Sequence, residues 1–75
     1  MPLVYRARKT AMLDAARRAG INPNPNAIAL ALGLSEATVR RAMNGAQPSA
    51  STVLALAEGL GVPVAEIFVV VDKPD

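Results

Sequence analysis

The stretch that most constrains this chain runs from Asn24 to Gly45, NPNAIALALGLSEATVRRAMNG. It predicts two short helices joined by a tight turn. Asn24 is a good N-cap, and Pro25 suits the first helical position, where its missing N–H costs nothing. Ile28, Ala29 and Leu32 then fall on one face. Gly33 stops the first helix, because glycine adopts the left-handed conformation without a Cβ clash. Leu34 follows as an apolar plug. Ser35 caps a second helix over Glu36 to Met43, and Asn44-Gly45 ends it. On that second helix Val39, Ala42 and Met43 are spaced to face inward. Glu36, Ala37, Arg40, Arg41 and Asn44 are left outside. A short helix packed on one side, with two arginines and small residues on the other, has the shape and charge to enter a DNA major groove.

The flanking residues predict three more helices. From about Arg6 to Ala19 the chain reads as helix, with Met12, Ala16 and Ala19 on one face and Leu13 beside them. Gly20 ends it, and Ile21 supplies the apolar contact that follows such a cap. Arg17 and Arg18 complement the C-terminal dipole of this helix, and are also within the class of residues that meet phosphate. After the loop Ala46-Gln47-Pro48, Ser49 caps a helix to Leu60 whose core positions are Val53, Leu56, Ala57 and Leu60. Gly61 closes it, and Pro63 opens a last short helix through Ala65, Glu66, Ile67 and Phe68. Phe68 to Val71 then reads as a short strand. Its partner is either the β-friendly Leu3-Val4-Tyr5, within an apolar segment from Pro2, or the same strand of a second copy. Asp72 to Asp75 forms a polar tail.

These residues resemble the helix-turn-helix of lambda-repressor/Cro-type DNA-binding proteins. The resemblance lies in Ala29 inside the first helix, the turn Gly33, Leu34, the cap Ser35, Val39 and the closing Gly45. It continues through Pro48, Ser49, Leu56, Leu60 and Val62, so that it spans roughly residues 10–68. Two positions depart from it: Pro25 stands where a phosphate-holding glutamine is frequent, and Ala42 where a large apolar residue is common. The resemblance implies an all-α, compact five-helix domain spanning residues 1–75, with a possible short C-terminal strand. It also implies a transcriptional regulator, most simply a phage or bacterial Cro-like repressor, bound to an inverted-repeat operator in double-stranded DNA as a homodimer. Some small Cro-like proteins resemble a dimer built on a terminal strand, which favours Phe68, Val69, Val70 and Val71 as dimerisation residues.

The same resemblance, joined to the physical reading, assigns site residues. Glu36, Ala37, Arg40 and Arg41 are the expected base-facing set, with Arg41 foremost because a guanidinium can bridge O6 and N7 of guanine. Glu36 can accept from cytosine N4, or act as first-turn charge and i,i+4 partner of Arg40. Ala37 can meet a thymine methyl or merely give clearance. Asn24, Asn26, Ser35, Thr38, Asn44, Gln47, Ser49, Arg17 and Arg18 are the expected phosphate contacts, several of them with capping or turn duties that would explain them equally well.

Composition narrows the alternatives. At 75 residues with 52% hydrophobic content, one core is attainable, but much of that content is alanine, which buries little area. There are no cysteines and no histidines, so disulfides, thiolate metal sites and histidine acid–base chemistry are outside its repertoire. The six carboxylates are scattered, and no Gly-rich phosphate loop is present. Neither an enzyme nor a metal, cofactor or small-molecule ligand is expected. No apolar run approaches the ~20 residues of a membrane span, and no signal-peptide core is evident; the expectation is a cytoplasmic protein.

The net charge of +2 conceals an asymmetry. Residues 1–47 carry seven basic against two acidic side chains, or +5; residues 48–75 carry one against four, or −3. A basic half that contains the helix-turn-helix suits a polyanion on one side of the molecule. The runner-up reading is an antitoxin or protein-interaction adaptor on the same fold, with the acidic half meeting a basic partner.

Overall fold

The helices form where local chemistry starts and stops them. A computed structural model describes residues 3–72; Pro2 and the tail from Lys73 to Asp75 lie outside the described residues. The order is β1 (Leu3–Ala7), α1 (Lys9–Arg18), α2 (Pro25–Leu32), α3 (Glu36–Met43), α4 (Ala50–Leu60), α5 (Val64–Ile67) and β2 (Phe68–Asp72). Asn24 Oδ1 accepts from the Ala27 N–H at 2.8 Å, and Ser49 Oγ accepts from the Thr52 N–H at 3.2 Å. Each satisfies an otherwise orphan donor of a first turn.

Gly33, at φ 72°, ends α2, and the Leu34 N–H reaches back to the Ala29 carbonyl at 2.9 Å. This six-to-one bond turns the chain and presses Leu34 onto the core. The same device closes α1, α3 and α4, through Ile21 to Ala16, Ala46 to Arg41 and Val62 to Ala57. Ile21 and Val62, like Leu34, pack against the core immediately after the turn.

The core is one cluster. Met12, Ile28, Val39, Leu56 and Ile67 are fully buried, one from each helix. Between them sit the alanines at 15, 16, 29, 42 and 57, which allow close helix approach. Three expectations are corrected here. The first helix begins at Lys9 rather than Arg6, because Arg6 and Ala7 are drawn into a strand. Ala19 is the exposed C-cap residue, and Ala15 takes its place in the core. Pro63 opens α5 as expected, as its N-cap, but Asp72, expected in the polar tail, is the last residue of β2.

β1 and β2 pair antiparallel within the chain, with Tyr5 opposite Val70 and Ala7 opposite Phe68. An otherwise all-α fold therefore carries a two-stranded sheet. The pairing corrects the preference for β2 pairing with a second copy: its described partner is the N-terminal strand. Phe68 is 2% exposed and meets Tyr5 edge-on, ring centroids 6.2 Å apart. It is part of the core, where the resemblance had placed it among the dimerisation residues. Val69 and Val70 remain exposed and Val71 half-buried.

Gly59 sits inside α4, away from any turn, where no local signal marks a glycine as required. A Cβ built there would collide with the Leu32 side chain. The glycine thus admits α2 against α4. An ordinary helical Gly→Ala change gains about 1 kcal/mol, whereas overpacking costs about 1–3 kcal/mol. Gly59→Ala should lower the thermal midpoint of the native chain, yet raise it when introduced into Leu32→Ala. A stabilising effect in the native background would show that Leu32 yields freely.

Candidate nucleic-acid interface

Helix α3 is built from its two ends and one stripe. Ser35 Oγ accepts from the Thr38 N–H at 3.1 Å and lies 2.6 Å from Thr38 Oγ1. Thr38, half-buried, is thereby tied into the first turn. Val39, Ala42 and Met43 are buried and hold the helix to the core; Ala37, Arg40, Arg41 and Asn44 are exposed, and Glu36 is half-buried. At the far end Asn44 is the C-cap, its N–H bonded to the Arg40 and Arg41 carbonyls.

The two arginines differ in their electrostatic state. Arg40 Nη2 donates to Glu36 Oε1 at 2.6 Å, one turn back on the same helix. The pair cancels one positive charge and fixes Arg40 along the helix flank. Arg41 has no ion-pair partner among the described residues. It stands beside a cleft of about 390 Å³ lined also by Thr38, Ala42, Gln47, Pro48, Ser49 and Thr52. The cleft lies between the side of α3 that carries Thr38, Arg41 and Ala42 and the N-terminus of α4, where N–H groups and the helix dipole favour an anion.

Four of the residues singled out in the sequence, Thr38, Arg41, Gln47 and Ser49, thus meet in one place. Ser49 has a prior commitment: its hydroxyl caps α4 and lies 3.1 Å from Ser51 Oγ and 3.0 Å from Thr52 Oγ1. Gln47 is exposed and makes no hydrogen bond among the described residues. Asn24 is engaged as the cap of α2, and Asn26 is exposed in the first turn of that helix, outside the cleft. Arg17 and Arg18 lie apart from it as well. Arg17 Nη1 donates to Asp14 Oδ1 at 2.8 Å, and Arg18 Nη2 to Glu66 Oε2 at 2.7 Å, tying α1 to α5. Thr52, outside the set expected from the sequence, also lines the cleft; the Ser-x-x-Thr spacing from Ser49 is its sequence signal, since such a pair closes a capped first turn. Ala42 was foreseen as a small residue in the core, and its size leaves room beside Arg41.

The capped helix, its buried stripe and its outward cations define a helix-turn-helix DNA-binding domain. The helix-turn-helix family matches residues 25–67, more than half of the chain. This protein belongs to that family, and α2, the Gly33 turn and α3 are its helix-turn-helix. Searches of curated proteins and of solved structures return no match. Among the described residues no helix is long and apolar enough to cross a membrane.

The cap is the part of the site most open to a simple test. Ser35→Ala removes the acceptor for the Thr38 N–H and should cost about 0.5–2 kcal/mol in urea unfolding. An unchanged unfolding midpoint would mean that water serves the first turn of α3 equally well.

Proposed function

We propose that this protein is a sequence-specific transcriptional regulator of the Cro-like repressor kind, from a phage or a bacterium, acting in the cytoplasm. Helix α3 enters the major groove and Arg41 reads guanine. The observation that carries this reading is the Arg41 guanidinium, without an ion-pair partner among the described residues, on an exposed, capped helix beside a cleft at the N-terminus of α4. Glu36 and Ala37 stand at the leading end of α3, and Arg40, held by Glu36, meets the flank of the groove. Thr38, Gln47, Asn44, Asn26 and the N–H groups near Ser35, Asn24 and Ser49 supply backbone contacts. Such contacts give affinity and register, whereas base contacts give preference.

The functional unit in this reading is a homodimer on an inverted repeat, with two α3 helices ~34 Å apart. Its support is the ribbon of β1 and β2. Each strand is paired on one side only, and Val69 and Val70 are 42% and 50% exposed. A two-stranded ribbon with open edges and apolar side chains is marginal alone and suited to a second copy. A second reading, a protein-interaction adaptor or antitoxin, draws on Leu30 and Leu54, which are 77% and 54% exposed on α2 and α4.

Recovery of bound genomic fragments tests the first reading against the second. The regulator should enrich one inverted repeat, with affinity that falls steeply with salt; an adaptor would enrich none even at low salt. On a panel of single mismatches in the recovered site, Arg41→Ala should flatten preference at one position by about 1–3 kcal/mol. Arg17→Ala should leave the pattern intact, and equal effects of the two would remove Arg41 as a reader. In sedimentation, Val69→Asp and Val70→Asp should each give monomers with weakened operator binding. A native chain that is already monomeric would confine the ribbon to a role in the fold.

A further inference from the structure

We propose that Arg6, Arg8 and Lys9, at the junction of β1 and α1, form a second DNA contact that takes the phosphodiester backbone flanking the groove occupied by α3. The inference rests on the DNA-binding reading and adds to it a surface outside the helix-turn-helix.

The cations of the basic half differ in whether a carboxylate already holds them. Of its seven, Arg17, Arg18 and Arg40 are each within 2.8 Å of a carboxylate oxygen. Arg41 stands at the α3 cleft. The remaining three are Arg6, Arg8 and Lys9, three charges within four positions. All are exposed, and none forms an ion pair among the described residues. The excess positive charge of this half is therefore concentrated there and at Arg41.

The fold gives no reason for that concentration. Arg8 is the N-cap residue of α1 and makes no side-chain cap, and no acidic residue occupies the first turn. Lys9 opens the helix. Cations at this end oppose the helix dipole, which favours negative charge there. Like charges so close also repel one another. Asp14, which borders the same surface, is committed to Arg17. The cluster is thus unfavourable in the isolated chain and relieved by an external polyanion.

Its place in the fold points to the same duplex. β1 packs against α3, and the Arg8 N–H is anchored at 2.7 Å on the Ile67 carbonyl. Arg8 and Lys9 line an open cleft of about 430 Å³ with Thr10, Ala11 and Asp14. Arg6 lies opposite Val69 and projects to the sheet face away from Phe68. The cations are thus carried by the strand that packs against the recognition helix and by the start of α1, not by a segment outside the fold.

The test is a salt titration of the full chain on two probes, the duplex recovered by native protein and a random duplex of equal length. Each phosphate neutralised contributes about 0.9 to the slope of log K against log salt. Arg6→Gln/Arg8→Gln/Lys9→Gln should lower that slope by about 2–3 per subunit on both probes, with the ranking of mismatched sites unchanged. Arg17→Gln/Arg18→Gln, whose charges are paired internally, should change it by less than about 1. An unchanged slope with binding retained overturns the proposal and leaves α3 as the reader. A changed mismatch ranking overturns the backbone assignment. No binding of native protein to either duplex at 50 mM salt overturns both this proposal and the DNA-binding reading. Should circular dichroism show the triple variant unfolded, Arg8→Gln and Lys9→Gln singly, each expected to lower the slope by about 0.9, decide the matter.

Discussion

The structure depends on the burial of Val39, Ala42 and Met43, which binds α3 to the core while Gly33 and Leu34 set its angle to α2. Fully burying a valine or methionine stabilises by about 1.5–3 kcal/mol. The Glu36–Arg40 pair on the other side of the same helix contributes about 0.2–0.5 kcal/mol. The inward side therefore decides where the helix stands, by roughly an order of magnitude. The outward side is nearly free of structural duty, which leaves its residues available for a partner.

That freedom is used sparingly. Three arginines are offset by carboxylates, so the chain shows much less bare positive charge than its sequence suggests. Pairing also separates Arg40 from Arg41, adjacent in sequence: one is held against its own helix, and the other faces the cleft. A guanidinium with no ion-pair partner among the described residues gives up no such pair there when it meets a base or a phosphate. The cleft adds the N-terminus of α4, so cation and dipole act on the same volume.

The helix-turn-helix was legible because each of its boundaries is fixed by a local rule. Asn24, Pro25, Gly33, Ser35 and Asn44-Gly45 each act within four residues, and the structure places them as read. The core face of α4 was legible from its spacing alone. What was not legible required contacts distant in sequence. Arg6 and Ala7 have acceptable helix propensity, but pairing with Val69 and Phe68 at the other end of the chain outweighs it. Ala19 lost its core place to Ala15 because the glycine turn begins one residue earlier than the helical spacing suggested. Glu66 as the partner of Arg18, and Gly59 as the seat of Leu32, are tertiary facts with no local signature. At the site, Glu36 could be read in sequence as base contact or as partner of Arg40; the 2.6 Å bond shows the second arrangement in the free chain.

In the reading proposed above, the outward side of α3 and the cleft beside it form the surface that meets DNA. Backbone amide NMR of the ¹⁵N-labelled chain, titrated with a short duplex carrying the recovered site, measures this most directly. The largest shifts should fall at Thr38, Arg41 and Gln47, with Leu30 and Leu54 nearly still. Shifts centred on Leu30 and Leu54, with α3 unmoved, would contradict that reading.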